Sequence, residues 1–84
     1  GVFAFWKQGS SLARLKLHRI SRGTTGEDTP SRPIGEVFRT EEGVGVQTGR
    51  GIIFLEELQL EGRTRLPIEE FLKGNPSFIG GILQ

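Results

Sequence analysis

The 84-residue chain is 35% hydrophobic, which is enough for one modest core but not for two, so these residues cannot make a two-domain enzyme. It has no cysteine, one histidine and no apolar run near the roughly 20 residues that cross a bilayer, which excludes disulfides, thiolate zinc sites, multi-histidine metal clusters and membrane helices. The net charge of +1 conceals an asymmetry, because residues 1–22 carry five basic side chains and no acid, whereas residues 23–84 carry six basic and ten acidic ones. The N-terminal quarter therefore favours a polyanionic partner.

The N-terminal residues predict a β-hairpin. Val2 to Lys7 is rich in aromatic and β-branched residues and precedes the turn signal Gln8-Gly9-Ser10-Ser11. From Leu12 to Ile20 apolar and polar residues alternate, which predicts a strand with one face in the core and the other in solvent. The core face carries Ala13, Leu15 and Leu17, and the solvent face carries Arg14, Lys16 and His18.

The middle of the chain predicts a loop and then a meander of strands. Gly23 to Pro33 has no apolar side chain besides its prolines and is predicted to be a mobile surface loop. Strands are predicted from Ile34 to Thr40, from Val44 to Thr48 and from Ile52 onward. Leu55 and Leu58 cannot share one face of a regular strand, so a bulge near Glu56-Glu57 is predicted to return Leu58 to the core.

A short helix is predicted from Pro67 to Lys73, with Gly74 as its cap, because proline is tolerated at a helix start and acids follow it. Its apolar face, formed by Ile68, Phe71 and Leu72, can cover an open end of a barrel. The tail from Asn75 to Gln84 is predicted to pack as an irregular strand or loop. These elements predict a small, mainly β domain with one short helix near the C-terminus.

Three patterns suggest chemistry at first sight and fail on their details. The glycine-rich stretch from Gly43 to Gly51 matches neither a dinucleotide-binding fingerprint nor a Walker loop, so we interpret its glycines as turn residues. The pairs Glu41-Glu42, Glu56-Glu57 and Glu69-Glu70 are interpreted as surface charge and helix-dipole complementation rather than an acid–base couple. His18 shares its strand face with basic residues and is interpreted as a surface side chain rather than a general base.

The basic residues are the strongest functional signal. Arg14, Lys16 and His18 form a ladder with steps of about 7 Å, which suits contact with successive phosphates of a nucleic acid. Lys7 and Arg22 flank this ladder, and Arg63 and Arg65 can add a second patch. The alternative is a solvated strand face that protects a sheet edge from aggregation. Trp6, Phe3 and Phe5 are interpreted as core residues rather than as platforms for bases.

The sequence also resembles a known family. Four stretches carry the likeness, and together they cover nearly the whole chain. They are Gly1-Val-Phe-Ala-Phe-Trp-Lys7 with Leu15-Lys-Leu-His-Arg19; Pro33-Ile-Gly-Glu-Val37; Glu42-Gly-Val-Gly-Val-Gln-Thr-Gly-Arg-Gly51; and Leu58-Gln-Leu-Glu-Gly-Arg-Thr-Arg-Leu-Pro67 with Phe71-Leu-Lys-Gly74. In order and spacing they resemble the C-terminal domain of the methionyl-tRNA formyltransferases. The chain departs from the family pattern at Leu60, where a proline is usual, and at Ile79-Gly80-Gly81, where Pro-Gly is usual.

The resemblance implies an OB-like open β-barrel that helps to hold initiator Met-tRNA in translation initiation, in the cytoplasm. Residues 1–84 would then be a single domain, a fragment without methionine whose missing N-terminal catalytic domain transfers formyl from 10-formyltetrahydrofolate. This chain alone is expected to be inactive and to hold no cofactor or metal. Basic residues are expected to contact phosphates of the tRNA backbone. The resemblance implies this role for Lys7, Arg14, Lys16, Arg19, Arg63 and Arg65, and the charge pattern adds His18 and Arg22.

Two alternatives stay open at this stage. The same domain type follows the catalytic domains of related formyltransferases that act on a sugar or a small amine, where the barrel would be a structural or interaction domain without RNA contact. A free-standing enzyme is the weakest alternative, because no catalytic constellation survives. The orientation of Arg19 is also open, since alternation from Leu15 and Leu17 places it on the apolar face of its strand.

Overall fold

The computed structural model of the chain describes residues 2–23, 32–49 and 51–84. In these residues six strands form one antiparallel sheet in the order β1-β2-β5-β4-β3, with β6 paired to β5. The sheet curls into a half-barrel, which confirms the predicted mainly β fold. The strands are β1 (Val2–Gln8), β2 (Ser11–Arg22), β3 (Val37–Thr40), β4 (Gly43–Thr48), β5 (Gly51–Leu60) and β6 (Leu66–Pro67), and they are followed by helix α1 (Ile68–Gly74) and a 3₁₀ turn (Pro76–Phe78). Most of the predicted loop from Gly23 to Pro33 lies outside the described residues.

The C-terminal tail lies between the two edge strands of the sheet. On the β1 side, the amide of Phe5 donates to the carbonyl of Gln84 at 3.0 Å, and the amide of Gln84 donates back at 2.8 Å. On the β3 side, the amide of Val37 donates to the carbonyl of Gly81 at 2.9 Å. The tail therefore packs as an irregular strand, as predicted. It also joins both edges of the sheet, so neither edge strand is open along these residues.

The predicted bulge in β5 is confirmed. Leu55 and Leu58 are both buried, and the register between β2 and β5 shifts at Glu56. The register shifts a second time at His18 of β2, an irregularity that the sequence did not indicate. This second shift reverses the alternation in β2, so Arg19 lies opposite Glu57 and is exposed. The open question about Arg19 is thereby answered in favour of solvent.

The core is closed at one end by three aromatic rings. Trp6 and Phe78 meet edge to face at 5.1 Å, and Phe71 and Phe78 do so at 5.0 Å. Phe71 comes from α1, whose predicted apolar face is buried. The helix begins at Ile68 rather than at proline, and its C-cap is Asn75 rather than the predicted glycine, because the Asn75 side chain donates to the carbonyl of Phe71 at 3.1 Å. No helix in the described part of the chain has the length and apolar character needed to cross a membrane.

The glycines of the stretch from Gly43 to Gly51 have two different roles. Gly43 and Gly51 adopt positive φ angles of 145° and 90°, which confirms their interpretation as turn residues. Gly45 instead lies inside β4, where a Cβ atom would come within 2.8 Å of the Ile52 side chain. The interpretation as a turn residue was therefore wrong for Gly45, which permits close packing. Arg50 lies outside the described residues.

Candidate nucleic-acid interface

The outward side of the β1–β2 hairpin brings basic and aromatic side chains together. In the antiparallel register, Phe3 lies opposite Lys16, and Phe5 lies opposite Arg14. Because side chains alternate along a strand, these residues point away from the barrel interior, whereas Trp6 and Leu15 point into it. We call this surface the hairpin face, and its members are Phe3, Phe5, Lys7, Leu12, Arg14, Lys16 and His18.

Two of the three N-terminal aromatic residues are not core residues. Phe3 is 48% exposed and Phe5 is 43% exposed, whereas Trp6 is 3% exposed. The core prediction was therefore correct for Trp6 and wrong for Phe3 and Phe5. The reason is the parity of β1, which directs Ala4 and Trp6 inward and the phenylalanines outward. Alternation applied to β1 as well as to β2 would have identified both exposed rings.

The Phe3 ring supports two cations of the ladder. The guanidinium carbon of Arg14 lies 4.0 Å from the ring centroid, and Nζ of Lys16 lies 5.8 Å from it. A cation over an aromatic face is attracted by the ring quadrupole. The ring therefore holds two like charges close together on one surface, at the rim of a shallow groove of about 190 Å³ that Gln59, Glu61 and Gly62 also line.

His18 connects the hairpin face to the turn after β5. Its Nε2 donates to Oε1 of Gln59 at 2.9 Å, and Nε2 of Gln59 donates to the backbone carbonyl of Arg63 at 2.8 Å. Gln59 is one of the residues that the sequence did not indicate, since it is 41 positions from His18. The two hydrogen bonds fix His18 and the Arg63 backbone in one network. His18 is half-buried in this network.

The carboxylate of Glu57 interacts electrostatically with three of the predicted basic residues. Arg65 forms a hydrogen-bonded ion pair with Glu57. This hydrogen bond lowers the pKa of Glu57 below its usual value; partial desolvation opposes the shift, and the charges of Arg65, Arg19 and His18 add to it. Part of the positive charge of Arg65 is therefore already balanced within the chain. Like Gln59, Glu57 was not indicated by the sequence as part of this site, because it was interpreted there as surface charge only.

The remaining predicted residues lie at the margins. Lys7 is exposed opposite Leu12 at the hairpin end of β1. Arg63 is exposed in the turn that follows β5. Arg22 ends β2, roughly 20 Å along the strand from Lys16, beside a cavity that three carboxylates also line. The structure thus groups Arg14 with Lys16, and His18 with Arg19 and Arg65, and it separates Arg22 from both groups.

The carboxylate pair on α1 behaves as surface charge, as interpreted from the sequence. Glu69 is bound by Arg39 at 3.1 Å, and Glu70 is bound by Lys73 at 2.8 Å, which raises the pKa of Lys73. All four side chains are more than half exposed. Within residues 2–23, 32–49 and 51–84, no group of three or more histidine or acidic side chains is arranged to hold a metal ion.

Comparison with known proteins gives consistent matches. The family model described as the formyl transferase C-terminal domain matches residues 1–76. A methionyl-tRNA formyltransferase of Geobacter sulfurreducens is 50% identical over 62 residues, 71% of this chain and 18% of that protein. A methionyl-tRNA formyltransferase of Treponema pallidum (strain Nichols) is 34% identical over 84 residues, which are 99% of this chain and 25% of that protein. A methionyl-tRNA formyltransferase of Geotalea uraniireducens is 45% identical over 71 residues, which are 82% of this chain and 21% of that protein. The chain spans a quarter or less of the length of these relatives.

Proposed function

Since the chain belongs to the family of formyl transferase C-terminal domains, we propose that it is the tRNA-binding domain of a methionyl-tRNA formyltransferase. In this role it positions initiator Met-tRNA for N-formylation in translation initiation, which takes place in the cytoplasm. The formyl group comes from 10-formyltetrahydrofolate on an N-terminal catalytic domain of the same polypeptide. Residues 1–84 form one domain of that enzyme and do not transfer formyl by themselves.

The hairpin face is the observation that carries this proposal. Arg14 and Lys16 project from one strand and share the Phe3 ring, so two positive charges are held where successive phosphates can reach them. Every charged side chain of β1 and β2 is basic. Contacts of this kind attract and orient a nucleic acid without reading its sequence. Recognition of the initiator tRNA is accordingly assigned mainly to the catalytic domain.

The hairpin face does not suit the folate cofactor. Small-molecule pockets usually enclose about 300–1,000 Å³, whereas the groove beside Phe3 has about 190 Å³ and is open to solvent. These residues therefore have no chemical role in formyl transfer. Their contribution is to bind and orient the RNA substrate, which lowers the entropic cost of bringing its amino group to a catalytic centre.

The test is a titration of labelled initiator tRNA with the chain, followed by fluorescence anisotropy at several salt concentrations. If five phosphates are contacted, the logarithm of the affinity should fall with the logarithm of salt with a slope of about −3.5 to −4.5. The double variant Arg14→Ala, Lys16→Ala should bind more weakly, with a slope smaller in magnitude by about 1.5. The matched control is Arg39→Ala, Lys73→Ala, which removes the same charge from β3 and α1.

The control variant should retain the slope and nearly all of the affinity. An equal loss in both double variants would show that only net charge matters and that the hairpin face has no special role. An absence of binding even at low salt would favour the interaction domain of a formyltransferase that acts on a sugar or small amine. In that case the basic ladder would be a solvated strand face.

A further inference from the structure

We propose that the Phe5 ring is a stacking site for an unpaired nucleotide of the bound RNA. This inference rests on the proposed function and adds a contact to a base where the charge pattern provides contacts to phosphates alone. It also divides the two exposed rings of β1 by role. Phe3 supports the cations, and Phe5 receives the base.

The surroundings of the two rings differ. The Phe3 ring is covered by the guanidinium of Arg14 and approached by Lys16. Phe5 is 43% exposed, and among the described residues neither an aromatic ring nor a cation lies over its face. Phe5 is thus an aromatic surface without an intramolecular partner in the part of the chain that the structure describes, directly beside positive charges.

The backbone of Phe5 is fixed on both sides. It pairs with Arg14 across the hairpin, and its amide and carbonyl hydrogen-bond to Gln84 at 3.0 and 2.8 Å. A ring on such a strand is held in place before the ligand arrives, so less conformational entropy is lost on stacking. Leu12, which is 54% exposed on the same face, widens the apolar strip beside the ring.

Charge complementarity identifies the occupant. A nucleotide combines a flat apolar base with a phosphate, and Phe5 has Arg14 opposite it and Lys7 two positions along the strand on the same side. Proteins that bind single strands combine aromatic platforms with basic grooves in this way. Bases inside an RNA helix present only their edges, so away from a helix end the ring can stack only on a base that is unpaired. An acidic protein partner would use the cations but gain nothing specific from the planar face of the ring.

The test uses two synthetic RNA hairpins with the same duplex and the same 3′ overhang of four positions. One overhang carries bases and the other is abasic, so the phosphates are equal and only the bases differ. The wild-type 84-residue chain should bind the base-bearing RNA roughly tenfold more tightly, as expected for one stacked base. The salt slopes for the two RNAs should be equal, because the number of phosphate contacts does not change.

Three variants assign the preference to one ring. Phe5→Leu should lose the preference while keeping the salt slope, and Phe5→Tyr should keep the preference, because it retains an aromatic ring. Phe3→Leu should weaken both RNAs to the same extent and keep the preference. Circular dichroism and thermal unfolding check that each variant is folded.

The outcomes separate the two proposals. Equal binding of both RNAs by the wild-type chain would overturn stacking and leave the phosphate-binding function intact. A preference that persists in folded Phe5→Leu would also overturn the assignment to Phe5. A failure to bind either RNA would overturn the proposed function and the stacking site together. If Phe5→Leu changed only association with a protein and no RNA affinity, the occupant would be a protein partner and the inference would be wrong.

Discussion

Phe5 and Trp6 are neighbours in β1 and have opposite surroundings. Trp6 is 3% exposed and makes edge contacts with Phe78 and Phe71, with ring centroids 5.1 and 6.2 Å apart. Phe5 is 43% exposed and points to the solvent side of the hairpin. The comparison teaches that one strand can bury one aromatic ring in the core and expose the next one, and that the two rings can be changed separately because adjacent residues of a strand lie on opposite faces.

The largest expected effect is on stability and comes from Trp6, the residue that faces the core. Trp6→Ala should lower the free energy of unfolding by about 3–5 kcal/mol, because it leaves a cavity between Phe71 and Phe78. Urea unfolding followed by circular dichroism measures the loss, since Trp6 is the sole tryptophan and the variant has no tryptophan fluorescence. A loss below about 1 kcal/mol would contradict the central position of Trp6 in the core.

Truncation of the exposed ring of Phe5 should change stability much less than truncation of Trp6. Phe5→Leu should alter the free energy of unfolding by less than about 1 kcal/mol, because much of the ring already contacts water. The same urea titration provides the measurement, and wild-type Trp6 serves here as a fluorescent probe. A loss as large as that of Trp6→Ala would show that Phe5 belongs to the core, and the division of roles along β1 would be wrong.

The link between Phe3 and the cations gives a smaller effect on binding. Phe3→Leu should weaken tRNA binding about two- to fivefold, as expected for the loss of an exposed cation–π contact. The salt slope should stay constant, since Arg14 and Lys16 keep their charges. Anisotropy titrations at several salt concentrations distinguish this result from a change in slope, which would mean that Phe3 alters the number of phosphates contacted.

The smallest expected effect is the pH dependence of the Arg65–Glu57 pair. Because the folded-state pKa of Glu57 is lowered, chiefly by the hydrogen bond from Arg65, the pair stabilises the fold above the glutamate pKa of the unfolded chain. That contribution is lost as the pH falls below about 4.5 and through the lowered pKa. Thermal unfolding of wild type and Glu57→Gln should differ slightly at pH 7 and converge in acid. A difference that grows in acid would contradict the direction of the shift.

Local patterns predicted most elements of the fold. The apolar face of α1 followed from the spacing of Ile68, Phe71 and Leu72, and the bulge in β5 followed from the conflict between Leu55 and Leu58. These features depend on residues close in sequence, where helical and strand periodicity act directly. The C-terminal boundary of the helix moved by one residue because the cap depends on the Asn75 side chain, which the pattern of apolar residues does not contain.

The arrangement of the candidate site was less predictable. The ladder of Arg14 and Lys16 follows from alternation in β2, whereas the exposure of Phe3 follows from its parity in β1 and runs against the hydrophobicity of its side chain. The exposure of Arg19 depends on the irregularity at His18, which arises from pairing with a distant strand. The hydrogen bond between His18 and Gln59 is likewise a tertiary contact between residues 41 positions apart. Single-sequence periodicity does not contain such pairings.

The two backbone hydrogen bonds between Phe5 and Gln84, called the seam here, also have a consequence for the order of folding. The seam joins residues near opposite ends of the sequence, so the entropy of closing a very long loop is lost before its hydrogen bonds are gained. The β1–β2 hairpin, in contrast, pairs Gln8 with Ser11 and can form locally. We expect the hairpin to appear early in refolding and the seam late. The surface proposed to bind RNA is then among the first structures to form, and the long-range contact between Phe5 and Gln84 forms after it.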